Sequence, residues 1–153
     1  MRARDFITEV TIDNRNGAGA VPYNADVDYF GIQCLMTPKT FLALAAPLGQ
    51  PHDAKLEKYI ADGGAIGAPF LNIDIPEGWD SGDFTKPAQV SGHEGRNRML
   101  SIMKLEGDAP VEVHLFPRYY RARDMTADFI ENLNRGLQVE KSTRVLDGPL
   151  FST

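Results

Sequence analysis

One cysteine, one tryptophan and three histidines are all that the 153 residues hold of the types that most often carry redox or metal chemistry or fill binding pockets. A lone Cys34 cannot close an internal disulfide or furnish a cysteine-rich zinc site, so a reducing cytosol is the compartment expected. Positive charge is short as well: 16 Lys and Arg stand against 21 Asp and Glu, a formal net charge of -5. No global positive field exists to hold a nucleic acid or an anionic membrane, so any anion site must be local. No apolar run approaches the roughly 18 residues of a membrane span, and the start MRARDFITEV lacks the apolar stretch of a secretory signal. A soluble, cytoplasmic protein without membrane contact is expected. Neither the Gly-x-x-x-x-Gly-Lys-Ser/Thr phosphate loop nor the Gly-x-Ser-x-Gly elbow occurs, which sets aside P-loop kinases and α/β-hydrolases.

What is present reads as one domain. The length suits a single core, 42% hydrophobic residues are enough to build it, and neither a repeat nor a low-complexity tract divides the chain. DFITEVTID, residues 5 to 13, is read as a strand, and the Gly- and Asn-dense residues 14 to 24 as a loop. Residues 29 to 35 resume strand character. Thr37-Pro38 starts a helix over about residues 38 to 46, stopped by Pro47, and Asp53 caps a second that ends at Gly63-Gly64. In FLNIDI, Leu71, Ile73 and Ile75 alternate with Asn72 and Asp74, the period of a half-buried strand. Residues 76 to 87, around Trp79, read as an exposed loop, followed by a short strand AQV. The spacing then predicts a turn, a helix with Met99, Ile102 and Met103 on one face, a stop at Gly107, and a strand with Val111, Val113 and Leu115 alternating. A helix over about residues 126 to 135 ending at Gly136, and a tail with an Asp147-Gly148 turn, complete the chain.

The segment with most chemical content is SGHEGRNRM, residues 91 to 99, where two glycines surround an acid and precede two arginines at a strand-to-helix handover. Free amides at a helix N-terminus and the helix dipole attract an anion, and glycine lets a phosphate approach the backbone. Arg96 and Arg98 add planar guanidinium forks suited to phosphate oxygens. The plainer interpretation is a charged first turn in which Glu94 pairs with Arg98.

VSGHEGRNRMLSIMKLEGDAPVEVHL resembles the nucleotide-binding box of the ParB/sulfiredoxin superfamily, in which a strand enters a Gly-x-x-Arg turn, a helix and a Pro-Val strand. The resemblance spans residues 88 to 116, with Gly95 on the turn glycine, Arg98 on the terminal arginine, and Arg96 and Asn97 between them. IGAPFLNIDI stands where the family places an earlier box. The resemblance implies an α+β fold, a single small domain over residues 1 to 153 with a mixed β-sheet flanked by helices. It also implies an ATP or CTP site at Ser91, Gly92, His93, Gly95, Arg96, Asn97 and Arg98, with Glu94 or Asp74 handling magnesium or a proton during hydrolysis or phosphoryl transfer. Sulfiredoxins carry Cys and His where this chain has Arg96 and Asn97, so sulfinic acid reduction is not expected. The form is similar to the GHEGRHR box of phage and mobile-element members, which implies a phage-encoded protein working in the host cytoplasm.

Asn97 in place of a histidine leaves a second class of function open: a catalytically inactive phage structural or host-interaction protein that binds a protein partner or its own copy. A DNA-binding or nuclease module ranks third, because the acidic balance offers a duplex little attraction. His52, His93 and His114 are too dispersed to predict a metal site. Cys34, in an apolar strand, is read as an inert buried thiol, and RYYRAR, residues 118 to 123, either as a stacking surface or as a solvated loop.

Overall fold

The computed structural model describes residues 10–14, 17–18, 29–45, 53–120 and 124–148. The first strand is β1 (Tyr29–Met36), in which Ile32, Cys34 and Met36 alternate onto one fully buried face. Thr37 then accepts a hydrogen bond from the Thr40 amide at 3.3 Å, and Pro38 occupies the first helical turn, where its missing N–H leaves nothing unpaired. These start α1 (Pro38–Leu44). The Pro47 stop expected for it lies outside the described residues, as do residues 5–9 of the expected N-terminal strand. The part of that strand that is described forms a parallel bridge, Ile12 to Ile66. Asp53 caps α2 (Ala54–Ala61) by accepting from the amides of Lys55 and Leu56 at 3.0 and 3.1 Å.

The hairpin of β2 (Phe70–Asp74) and β3 (Gln89–Glu94) leads into α3 (Arg96–Glu106) and β4 (Val111–Pro117). The strands line up as β3-β2-β4-β1, with β5 (Lys141–Gly148) on the far edge; β2 and β4 run parallel and the other neighbours antiparallel. The described residues thus form an α+β domain with a five-stranded mixed sheet and four α-helices. Register places Ile32, Cys34 and Met36 opposite Leu115, Val113 and Val111, and Leu71 opposite Leu115 on the other side. This sheet face is fully buried, in one cluster with Phe41 of α1, Ile60 of α2, Met99 and Ile102 of α3, and Phe129, Leu133 and Leu137 from the last helix, α4 (Ala127–Leu137). Each such side chain contributes about 1.5–3 kcal/mol of transfer free energy when fully buried.

Four expectations need correction. Strand β3 does not stop at residue 90 but continues through Ser91, Gly92 and His93, because its ladder with β2 persists to Phe70 opposite Glu94. Residues 76 to 87 are not simply exposed: Trp79, in a 3-10 turn (Trp79–Ser81), is 5% exposed and donates from its indole N–H to the Lys86 carbonyl at 2.8 Å. Helix α4 begins after Thr126 as expected but passes through Gly136, because Leu137 is buried and Gln138 (φ 55°) makes the left-handed exit. Asp147-Gly148 is not a turn; both residues pair with β1 as the end of β5.

Candidate functional site

Strand β3 becomes helix α3 through one residue, Gly95, at φ 99° and ψ 19°. Residues with a side chain adopt that left-handed conformation at a cost. Space forbids one too: a Cβ here would lie 2.8 Å from Arg98 Nη2, 2.8 Å from Pro69 Cβ and 2.9 Å from Pro69 Cα. Gly95 is therefore both the turn between β3 and α3 and a point of close approach to the segment entering β2.

Because the N-cap has no side chain, α3 begins without a side-chain cap and with no acidic residue in its first turn. The contrast with α1, α2 and α4 is direct, since Thr37, Asp53 and Thr126 each accept a first-turn amide. The first intrahelical bond runs from the Met99 amide to the Gly95 carbonyl at 2.9 Å. The positive end of the helix dipole is consequently not offset by the helix's own first-turn side chains.

Arg98, expected to hold a phosphate, lies inside the fold. It is not held out toward solvent but is 5% exposed, and its Nη1 donates to the Gly67 carbonyl. Its Nη2 is buried without a hydrogen-bond partner, beside the place a Gly95 side chain would occupy. Burial depresses its pKa, and the Glu94 charge opposes that shift. Arg98 thus ties the start of α3 to the segment entering β2 and places a positive charge beneath the turn. Arg96 and Asn97 are half-buried, and Arg96 Nε is also without a hydrogen-bond partner.

Glu94, Gly95, Arg96, Asn97 and Arg98 meet in this turn, but the remaining expected residues do not all join them. Ser91 is exposed and donates from its hydroxyl to the Asn72 carbonyl at 3.3 Å; three residue steps of extended strand, about 10 Å, separate it from Glu94. Gly92 lies opposite Asn72, and His93 is half-buried opposite Leu71. Asp74 pairs with Gln89 and lies four residue steps along β2, about 13 Å, from Phe70, the partner of Glu94. The Asp74 carboxylate instead faces Arg118, at 3.5 Å from Nη1. Glu94 and Asp74 therefore do not form one catalytic pair.

The contribution of Gly67 to Pro69 was not anticipated from the sequence, although three small or rigid residues before a strand are a signal of close backbone approach. Asn14 holds that segment, accepting from the Ala68 amide at 2.9 Å while donating to Glu112 at 3.0 Å. Glu112 also lies 3.0 Å from Nε2 of His114, which is a buried, partnered side chain of β4. Among the described residues no three of His, Cys, Asp and Glu are grouped to hold a metal ion, and His52 lies outside them. Burial, reinforced by the Glu112 charge, pushes the Cys34 thiol up to about 12, which makes it the inert buried thiol expected. Of RYYRAR, residues 121–123 lie outside the described part; Arg118 stacks 5.2 Å above the ring of Tyr119. No helix among the described residues is long and apolar enough to cross a membrane. No family model matches the chain, and neither a curated protein nor a solved structure matches it.

Proposed function

We propose that the chain is a ParB/sulfiredoxin-like domain that binds a nucleoside triphosphate, ATP or CTP, with its phosphates against the N-terminus of α3. The observation that supports this most is the glycine-capped, acid-free helix start with a buried guanidinium beneath it, one of whose nitrogens has no hydrogen-bond partner. Dipole, first-turn backbone and charge favour an anion at the same place. In this role the backbone after Gly95 cradles a phosphate, Arg96 supplies the accessible charge, and Arg98 is a positioning residue. Magnesium keeps waters and phosphate oxygens as most of its ligands, so the single carboxylate at the turn, Glu94, is compatible with its arriving on the nucleotide. Hydrolysis or phosphoryl transfer would then depend on Glu94 for any protein-borne acid or base.

The distance of Asp74 from the turn favours, as a second reading, a domain that retains nucleotide binding without turnover and acts through a partner. A thermal-shift panel of ATP, CTP, GTP, UTP and tripolyphosphate, with and without magnesium, tests the binding. A ligand at about 100 times its Kd adds about 2.7 kcal/mol, or roughly 5–11 °C for a chain of this size. The expected result is such a shift with ATP or CTP, reduced in Arg96→Ala; no shift with any of the five overturns the proposal. Phosphate release by the shifted protein then separates an enzyme from an inactive binder.

A further inference from the structure

Arg98 takes its direction from one peptide group, and that group is held from its other side as well. The carbonyl of Gly67 and the amide of Ala68 belong to a single planar trans unit, so they point in opposite directions and cannot turn independently. Arg98 Nη1 donates to the carbonyl, while the amide donates to Asn14 Oδ1 at 2.9 Å. The partners of Asn14 also fix which way its own amide faces. Only its oxygen can accept from the Ala68 N–H, which leaves Nδ2 to donate to Glu112 Oε2 at 3.0 Å. That same oxygen lies 3.0 Å from Nε2 of the buried His114 in β4. A continuous series of hydrogen bonds therefore runs from the sheet through Asn14 and the 67–68 peptide to the guanidinium.

Backbone bonds bring Asn14 to this place and do not involve its side chain. Ile66 accepts from the Asp13 amide at 2.8 Å and donates to the Thr11 carbonyl at 3.0 Å, and Gly67 donates to the Ala18 carbonyl at 3.1 Å. The approach is close enough that a side chain at Gly17 would overlap the Ile66 and Gly67 backbone. Truncating Asn14 leaves these backbone bonds intact and releases the Ala68 amide.

The direction of the 67–68 peptide matters because Nη2 of Arg98 is buried without a hydrogen-bond partner, beside the place a Gly95 side chain would take. Rotation of the peptide would carry the guanidinium away from the first turn of α3, and its attraction for an anion there falls with distance. Hydrogen bonds in series also polarise one another, so the Asn14 bond strengthens the Gly67 carbonyl as an acceptor for Arg98. We propose that Asn14 is a positioning residue of the anion site: through the 67–68 peptide it sets Arg98 beneath the β3–α3 turn. The proposal rests on the assignment of that turn to phosphate, and it makes the segment before β1 part of the site without touching the ligand.

Tripolyphosphate is the probe, titrated calorimetrically into the full chain at a temperature where circular dichroism shows each variant folded. Asn14→Ala is expected to bind on the order of tenfold more weakly than the parent, the effect of one lost hydrogen bond. Exchange of the Ala68 amide, followed by NMR without ligand, should be about tenfold faster in the same variant. Unchanged affinity overturns the proposal, because a residue that only stabilises the fold does not alter the affinity of folded molecules; unchanged exchange overturns it too. If Asn14→Ala does not fold, Asn14→Asp decides, since it keeps an acceptor for the Ala68 amide but turns a carboxylate oxygen toward Glu112. It should bind more weakly, and adding Glu112→Gln should restore affinity by supplying a donor to that oxygen. Parent affinity in Asn14→Asp, or no recovery in the double variant, overturns the proposal. A parent that binds no tripolyphosphate refutes the phosphate assignment itself, whereas a parent that binds alongside an unaffected Asn14→Ala refutes the role of Asn14 alone.

Discussion

Alanine at Gly95 would be resisted twice, and the two contributions can be separated. The backbone at φ 99° costs a residue with a Cβ about 1–2 kcal/mol. The methyl group would also lie 2.9 Å from Pro69 Cα, a backbone atom that cannot swing aside, and overpacking of this kind costs a further 1–3 kcal/mol or so. Gly63 supplies the control: its φ is 90°, but nothing lies within 4 Å of its missing Cβ, so Gly63→Ala carries the conformational cost alone. In urea, unfolding followed by Trp79 emission and far-UV circular dichroism should show Gly63→Ala losing about 1–2 kcal/mol and Gly95→Ala about 2–5 kcal/mol. With a slope of about 2 kcal/mol per molar, the midpoint for Gly95→Ala falls by roughly 1–2.5 M. If Gly95→Ala were no less stable than Gly63→Ala, the close approach of α3 to Pro69 would be refuted.

Arg98→Met should leave stability within roughly 1–2 kcal/mol, because an apolar chain replaces a buried guanidinium with a single carbonyl partner, yet it should abolish nucleotide binding; retained binding in a thermal-shift assay would remove Arg98 from the site. Asp53→Ala, which frees two first-turn amides of α2, should cost about 1 kcal/mol in urea unfolding. Cys34 should resist a thiol reagent at pH 8 until the protein is unfolded. Its folded pKa, about 12, lies above its unfolded value near 9, so the associated stability is whole below pH 9 and is lost as the pH climbs toward 12. Urea midpoints measured at pH 8 and 10.5 should therefore fall less in Cys34→Ala than in the parent, and an equal fall would contradict the burial of the thiol.

Local signals in the sequence carried the elements that face the core. Leu71 and Ile73, and Val111, Val113 and Leu115, advertise strands because one side of each is fully buried. Thr37-Pro38 and Asp53 advertise helix starts because the capping chemistry is local. Strand β3 was mostly illegible: it is an edge strand whose Ser91, Gly92 and His93 look like a turn, and only pairing with β2 extends it. The same long-range register separates Asp74 from Glu94, which spacing along the chain cannot show. Gly95 and Arg98 were legible as a pair, but the inward fold of Arg98 depends on a carbonyl 31 residues away. Trp79 looked exposed because its polar neighbours hide partners as distant as Phe129.

The most direct test of phosphate binding at α3 is an amide-resolved NMR titration of the full chain with ATP and CTP. The largest shifts are expected at the amides of Arg96, Asn97 and Arg98, reproduced by tripolyphosphate and absent in Arg98→Met that retains its fold. Undisturbed amides at these three positions at saturating nucleotide, or the largest shifts clustering elsewhere, would contradict the assignment of the β3–α3 turn as the nucleotide site.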